Sequence, residues 1–343
     1  MQKKSNLSMD YINYIKLKKI YIIFLFIILI FSFVVSLSVG SSSMSVIDSI
    51  KTLIGEGTSK EINIIYNIRL PRVLGGMLVG ASIALSGMVI QTVLNNPLAS
   101  PSTIGISGAS AFGANIALII LARFGMEINS EITAITSFAF SLICMILVIS
   151  ISALRGTDKT SVILAGVAFN SLFTAGTTVI QYFADDTEIA TAVSWTFGDL
   201  GKIDYYEVKI VTIVLLISSI LIYAFRWKMN SMDMGEATAH TLGINTKKMR
   251  NLSILIATIN TGVSVAFVGM IGFVGLLAPQ IAKRIVAEDK RYMFPFTLLT
   301  GSIIVLASDA FARTIASPLV LPVGAVTSFL GAPMFIYILL KER

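Results

Sequence analysis

Residues 73–94 read VLGGMLVGASIALSGMVIQTVL, a run of 22 residues without a charged side chain. The hydrocarbon core of a bilayer is about 30 Å thick and an α-helix rises about 1.5 Å per residue, so about 20 apolar residues span it. A helix also satisfies its own backbone hydrogen bonds inside lipid. The run therefore predicts a membrane-spanning helix and an all-α fold.

The rest of the chain repeats this pattern. Of its 343 residues, 55% are hydrophobic and 13% are charged, whereas soluble domains carry about 25% charged residues. The uncharged stretch 251–282 is too long for one span, so we divide it into helices at about 253–272 and 274–286. Hydropathy alone supports eight to ten spans, and we predict ten. Besides 73–94 and the two helices just named, the predicted spans are 20–39, 103–122, 132–154, 160–184, 210–225, 292–308 and 314–340.

Positive charge orients these spans. With residues 1–19 as a basic cytoplasmic tail, 18 of the 26 Lys and Arg residues fall on the inner side. The positive-inside rule then predicts a multi-pass protein of the cytoplasmic (inner) membrane with both termini in the cytoplasm. The net charge of +7 is explained by this topology, and we expect no nucleic-acid partner. The main outer exceptions are Arg69, Arg72 and Arg313.

Few residues could support chemistry. The single cysteine, Cys144, and the single histidine, His240, supply neither a disulfide nor a zinc motif. We therefore expect no catalytic residue, no metal site and no cofactor. Because the chain has no G-x-x-x-x-G-K-[ST] loop, any ATP that drives it must bind to another chain. An ion-coupled secondary transporter is a distant alternative, since Asp309 and Arg313 stand four residues apart and no chain of acidic residues accompanies them.

Small and polar residues inside the spans predict how the helices pack. Gly76, Gly80 and Ala84 recur at four-residue spacing, which favours close helix approach within the subunit, at a dimer seam or along a pathway wall. Four polar residues are either interhelical hydrogen-bond donors or cargo contacts, and the sequence leaves both open: Asn115, Asn170, Gln181 and Gln280.

The longest cytoplasmic segment, 226–252, has the features of a partner-binding site. Residues 235–243 read GEATAHTLG and predict a short helix that ends at Gly243. The segment suits contact with a chain that binds ATP, and a plain surface loop is the alternative.

Ordered motifs in this chain resemble the FecCD-type permeases of ABC importers, which carry iron-siderophores, haem or cobalamin. The resemblance runs from about residue 30 to the C-terminus, and it indicates one permease domain, 20–343, behind the tail 1–19. That tail falls outside the resemblance and is predicted to anchor at the inner membrane surface. The motifs are RLPR at 69–72, NPLA at 96–99, E-A-x-x-x-x-L-G at 236–243, G-F-V-G-L-x-x-P at 272–279, LPVG at 321–324 and LGAP at 330–333.

The resemblance implies a cobalamin-permease-like fold of ten helices within the lipid bilayer. It also implies a second permease subunit, an ATP-binding cassette ATPase dimer and an extracytoplasmic substrate-binding protein. Arg69, Arg72 and Arg313 would look outward and pair with glutamates of that binding protein, since a guanidinium fork matches a carboxylate. Anchoring to phospholipid headgroups is the alternative for these arginines.

On the inner side, the resemblance implies that residues 235–243 are a coupling helix seated in the ATPase. Glu236 would make a polar contact and Leu242 an apolar one, with Ala237 and Gly243 completing the pattern.

The resemblance further implies two cytoplasmic gates. Asn96 and Leu98 would form one, because Pro97 holds Asn96 extended where a helix ends. Thr160 and Ser161 resemble the other gate less closely.

One position departs from the family pattern, since the usual Pro-His reads Pro279-Gln280 here. Gln280 can still donate a hydrogen bond, so we expect the same general mechanism. The implied function is a permease without enzymatic activity whose cargo is a ferric siderophore, the commonest substrate of the family. Haem and cobalamin are alternatives, and the sequence leaves open whether the two permease subunits are identical.

Overall fold

The computed structural model describes the backbone of residues 2–40, 44–154 and 159–340, and the side chains of these residues from 13 onward except 339. Regular structure in these ranges is entirely helical. The helices are α1 (Gln2–Ser38), α2 (Val46–Leu53), α3 (Ser59–Asn63), α4 (Leu70–Leu94), α5 (Ile106–Asn115), α6 (Ser130–Leu154), α7 (Lys159–Tyr182), α8 (Asp186–Thr196), α9 (Tyr205–Ala224), α10 (Arg226–Asp233), α11 (Glu236–Thr241), α12 (Thr246–Val268), α13 (Val274–Val286), α14 (Lys290–Thr314) and α15 (Val323–Leu340).

Ten of these elements correspond to the predicted spans. Seven helices are long and apolar enough to cross a membrane. Two shorter apolar helices, Ile106–Leu121 and Val323–Ile338, and the 13-residue α13 complete the set. A π-helical turn, Ile116–Leu121, lengthens α5, and another, Ile64–Arg69, joins α3 to α4. The prediction of an all-α fold with about ten transmembrane helices is confirmed.

The long stretch 251–282 divides as predicted, although its first helix ends early. α12 stops at Val268 because Gly269 takes a φ of 76°, and a Cβ atom there would collide with the carbonyl oxygen of Trp195. The chain resumes its helix at Val274, directly after Phe273, which has a φ of 64°. Residues 269–273 therefore form a non-helical break between two packed helices.

α4 lies at the centre of the helix packing. It contacts α9, α12, α13 and α14. Gly80 packs on the backbone of Gly301 in α14, and Gly87 packs on Gly275 in α13, so that a Cβ atom at either glycine would collide with a carbonyl oxygen. Small residues thus bring helices of one subunit together, as the spacing predicts.

Polar residues connect other helices. The Nδ2 of Asn115 donates to the carbonyl of Ala111 at 2.8 Å, and the Nε2 of Gln181 donates to Asn115 Oδ1 at 2.9 Å, linking α7 to α5. Gln181 is thus an interhelical donor, as one of the two alternatives predicts, whereas Asn115 donates within α5 and is the acceptor of the interhelical bond.

The N-terminal segment is helical. Residues 2–19, which the sequence assigns to a basic tail, continue into the first span without a break in α1. α1 packs mainly against α14. The boundary between tail and permease domain, and the surface-anchoring role of the tail, stay predictions.

Candidate functional site

Two arginines from neighbouring helices cap the C-terminal end of α1; we call this side of the helix bundle the outer side and the opposite side the inner side, after the orientation that the sequence predicts. Arg69, which is 4% exposed, donates to the carbonyl oxygens of Leu37 at 2.7 Å and Ser38 at 2.9 Å. Arg313 donates to the carbonyl of Ser36 at 2.9 Å. The last carbonyls of a helix have no donor within it, and cations are favoured there. Both arginines therefore stabilise the point where α1 meets α4 and α14.

Asp309 neutralises part of this cluster. Its side chain is fully buried and lies 2.9 Å from Arg313 Nε, which confirms the pairing that the four-residue spacing allows. Arg72 binds the same carboxylate with Nε at 3.0 Å and Nη2 at 2.8 Å. Arg72 also lies 4.0 Å from Asp199, whose side chain is 43% exposed. Arg72 therefore has a second carboxylate, at the surface, within reach of its guanidinium group.

The structure brings Arg69, Arg72 and Arg313 together, but it turns them inward. Their guanidinium groups bind α1 carbonyls and the Asp309 carboxylate, whereas the resemblance implied that they look outward. These contacts form because the open end of α1 and a buried carboxylate both require cationic donors. Contact with a binding protein stays a prediction.

An exposed ion pair on the outer side provides a contrast. Arg123 donates to both carboxylate oxygens of Glu188, at 3.1 Å and 2.7 Å. Its hydrogen bond, together with one from the backbone N–H of Asp185, lowers the pKa of Glu188. The Arg123 side chain is 40% exposed, so this pair is open to solvent.

On the inner side, α11 carries a half-exposed carboxylate that is paired with a buried cation. Glu236 is 43% exposed at its side chain, whereas Arg250, at the start of α12, is 1% exposed. Arg250 Nη2 donates to Glu236 Oε1, and Arg250 Nε reaches the carbonyl of Val93 at 3.4 Å. Sequence reasoning counted Arg250 only as a positive-inside charge and missed its contact with α11. It links the predicted coupling helix to the last turn of α4.

The remaining predicted coupling residues lie at the surface. Ala237 is exposed and Leu242 is 61% exposed. Gly243 has a φ of 78° with open space around it, and its N–H bonds to the carbonyl of His240 at 2.9 Å, ending α11 as predicted. The structure thus presents an acidic and an apolar side chain together on a short exposed helix.

The predicted gate residues Asn96 and Leu98 lie in one turn after α4. Asn95 ends the helix in the left-handed conformation with a φ of 45°. Asn96 Oδ1 accepts the N–H of Leu98 at 2.9 Å, which closes the turn around Pro97. Leu98 is 47% exposed. We call residues 95–98 the gate turn.

Gln280 holds this gate turn from α13. Its Nε2 donates to Gln91 Oε1 at 2.8 Å and to the carbonyl of Pro97 at 3.1 Å. Gln91 in turn donates to the carbonyl of Leu276 at 3.2 Å. Gln280 thus acts as an interhelical donor, the first of the two roles that the sequence left open.

A second buried pair lies beneath the gate turn. Lys290 Nζ is 2.5 Å from Asp233 Oδ2, and the Lys290 side chain is 3% exposed. Burial raises the pKa of Asp233, and the Lys290 ammonium partly offsets that effect. Both residues border a small pocket with Asn95, Asn96 and Gln280. The end of α10 is therefore fastened to α14 next to the gate turn.

Thr160 and Ser161 stand apart from the other predicted gate. They occupy the first turn of α7, where Thr160 is exposed and Ser161 is half-buried. Leu98 lines the cavity described below and Asn96 borders the small pocket, and neither set of described lining residues includes Thr160 or Ser161; their gate role stays a prediction.

A cavity of about 450 Å³ opens above the gate turn, with Leu98 in its wall. Its other walls come from α4, residues 100–107, residues 196–197, α12, the break at 270–273 and the first turns of α13 and α15. Apolar side chains such as Ile83, Phe197 and Met270 alternate with serine and threonine hydroxyls. None of the described lining residues is Asp, Glu, Lys, Arg or His.

The sequence matches a known transport family and several transport proteins. Residues 28–341 match the model of the FecCD transport family. An ABC transporter permease protein of Methanocaldococcus jannaschii is 44% identical over 98% of each chain. A hemin transport system permease protein of Yersinia pestis is 32% identical over 90% of this chain and 93% of its own. Other relatives are named for the import of Fe(3+)-citrate, cobalamin and molybdate.

The fold also matches a solved structure. A transporter described as an inward-facing conformation of a metal-chelate type ABC transporter superposes with a TM-score of 0.83. It is 27% identical and covers 94% of this chain and 99% of its own.

Proposed function

This chain belongs to the FecCD transport family and is a membrane-spanning permease of an ABC importer, and from that premise we propose that its cargo is a ferric siderophore. Permeases of this family take their energy from a separate ATPase. We further propose that it lies in the inner membrane with both termini in the cytoplasm.

The size of the cavity is the observation that carries the cargo proposal. A volume of about 450 Å³ in one subunit lies within the range of about 300–1,000 Å³ that is usual for small-molecule sites. A single metal ion or a small oxyanion would leave most of it unfilled, whereas a metal chelate suits it. Haem and cobalamin, the alternatives from the same family, are also metal chelates. An uptake measurement with each of the three compounds distinguishes them as cargo.

Energy enters through α11 in this proposal. The exposed Glu236 and Leu242 contact the ATPase. Arg250 binds both Glu236 in α11 and the carbonyl of Val93 at the end of α4, directly before the gate turn. Movement of α11 would then displace Asn96 and Leu98, in keeping with the alternating access of transporters. This arrangement requires rigid contacts between α11 and α4, and the buried Arg250 provides one.

At the outer face we propose that a substrate-binding protein docks over the arginine cluster, centred on Arg72. Arg72 lies next to Asp199, whose carboxylate is partly exposed at the surface. Arg69 and Arg313 add positive charge from buried positions in the same cluster. A second permease subunit, identical or related, would complete the pathway.

Uptake into proteoliposomes tests the function. The permease, its cognate ATPase and its binding protein are reconstituted, and accumulation of a radiolabelled ferric siderophore is followed with ATP on the ATPase side or without it. We expect accumulation that requires ATP. Vesicles that lack the ATPase serve as the control.

Two outcomes would contradict the proposal. Transport of haem or cobalamin without siderophore uptake would overturn the cargo and keep the importer. Equal uptake without the ATPase would favour an ion-coupled secondary transporter.

A further inference from the structure

Thr261 is one of nine described residues with a buried side-chain nitrogen or oxygen that lacks a hydrogen-bond partner, and among these nine it is the one that lines the cavity. It is 1% exposed, it lines the cavity, and its Oγ1 has no hydrogen-bond partner among the described residues. A buried hydroxyl without a partner is costly, so most such groups are satisfied. Because Thr261 borders the cavity, a ligand there can supply the missing partner.

Two neighbouring hydroxyls on α12 have the intrahelical acceptor that Thr261 and Ser253 lack. Thr258 donates to the carbonyl four residues before it at 2.8 Å, and Ser264 does the same at 2.9 Å. The equivalent acceptor for Thr261 is the carbonyl of Ala257, which receives a hydrogen bond from Ser86 at 3.1 Å. Since a carbonyl has two lone pairs and the helix uses one, Ser86 occupies the site that Thr261 would take. The Thr261 hydroxyl is thereby left for another ligand.

The charge of the wall limits what that ligand can be. The described lining residues carry no ionisable side chain. An anion that enters such a site loses its hydration and finds no counter-charge, which costs far more than burial of an uncharged polar group.

Backbone geometry adds a weaker preference. The first turns of α13 and α15 reach the cavity through Gly275 and Gly324, and a helix N-terminus carries about half a positive charge. This partial charge suits the acceptor oxygens of an uncharged ligand but does not neutralise several full negative charges.

We infer that this cavity binds its cargo as an electroneutral metal chelate rich in acceptor oxygens, with the hydroxyl of Thr261 hydrogen-bonded to it. The inference rests on the proposed function, since it specifies the charge class of the siderophore. An uncharged ferric trihydroxamate fits this description, whereas ferric citrate, which is anionic, does not.

Direct binding to the full-length permease in lipid nanodiscs tests the inference without a binding protein. A radiolabelled uncharged ferric trihydroxamate and radiolabelled ferric citrate are compared in a scintillation-proximity assay that needs no washing step. We expect saturable binding of the trihydroxamate and at least about tenfold weaker binding of ferric citrate. Equal or tighter binding of ferric citrate would overturn the charge class.

Three substitutions test the role of Thr261. Thr261→Val removes the hydroxyl at nearly constant volume and should weaken trihydroxamate binding about threefold to tenfold, the effect of one hydrogen bond. Thr261→Ser keeps the hydroxyl and should bind like the parent. Thr258→Val removes a satisfied hydroxyl from the same helix and should also bind like the parent.

The outcomes separate this inference from the proposed function. If Thr261→Val binds the trihydroxamate as tightly as the parent does, the assignment of Thr261 is wrong. If ferric citrate binds tightly and is imported with ATP, the importer stands and the electroneutral class is wrong. If the trihydroxamate binds through Thr261 but no siderophore accumulates in proteoliposomes, the site stands and the proposed function is wrong.

Discussion

The outer arginine cluster and the inner coupling region use charge in opposite ways. Outside, Arg69 and Arg313 are buried against the end of α1, and Asp309 is buried between Arg72 and Arg313. Inside, the buried Arg250 holds Glu236, whose carboxylate remains 43% exposed. The outer ions bind mainly one another and the backbone, whereas the inner pair leaves one partner at the surface. The first arrangement stabilises helix packing, and the second leaves a carboxylate where the proposed contact with an ATPase would form.

The largest effect is expected from Asp309, because it tests whether the outer cluster is structural. Asp309→Asn removes the carboxylate, which leaves the buried guanidinium of Arg313 without its counter-charge and leaves Arg72 with the more distant carboxylate of Asp199, at 4.0 Å. Breaking a buried pair in this way costs about 3–5 kcal/mol. We expect a clear loss of stability in denaturant unfolding of the detergent-solubilised permease.

Arg123→Gln provides the matched control on the same side of the membrane. It removes a cation from the exposed pair with Glu188, and exposed pairs contribute little. We expect it to unfold like the parent. Unfolding of Asp309→Asn at the parent's denaturant concentration would mean that the outer cluster does not stabilise the fold.

The next effect concerns the inner pair. Glu236→Arg places a second cation beside Arg250 and removes the carboxylate from the surface of α11. We expect uptake to fall by more than about tenfold, since the variant disturbs both the proposed contact with the ATPase and the link to α4. Uptake into proteoliposomes and ATPase turnover are measured on the same preparations, and we expect turnover without transport.

A charge swap separates the two roles of Glu236. In the double variant Glu236→Arg/Arg250→Glu the internal pair is restored, while the charge presented by α11 stays inverted. We expect the unfolding midpoint to recover and uptake to remain low. Full recovery of uptake would show that Glu236 acts only through Arg250 and that its contact with the ATPase is not required.

Sequence reasoning was most successful where one segment decides the outcome. The spans follow from apolar runs, the division of 251–282 follows from its length, and the pairing of Asp309 with Arg313 follows from one helical turn. The link between Arg72 and Asp309 joins residues 237 positions apart, which no local pattern can predict. Arg250 was counted as a positive-inside charge, although its burial makes it an internal connection.

The inward turn of the arginines has a similar cause. These arginines lie near the predicted outer ends of α4 and α14, which suggested a surface for a partner, and the RLPR motif supported that interpretation. The end of α1 comes close only after folding, and its free carbonyls then take the donors of Arg69 and Arg313. Competition from backbone acceptors of a distant helix is invisible in a single sequence.

The smallest effect tests docking at the outer face. Arg72→Lys keeps a positive charge beside Asp309 but loses the two-pronged geometry that matches a carboxylate. If a binding protein approaches over Arg72 and Asp199, its affinity for the permease should fall about threefold, because one charge-assisted contact at the edge of the interface is weakened. Arg69→Lys should matter less, because the side chain of Arg69 is 4% exposed and is directed at α1 carbonyls. Surface plasmon resonance with the binding protein immobilised measures both. Equal affinities for the parent and both variants would remove the outer arginines from the docking surface and leave them with the structural role that their contacts already show.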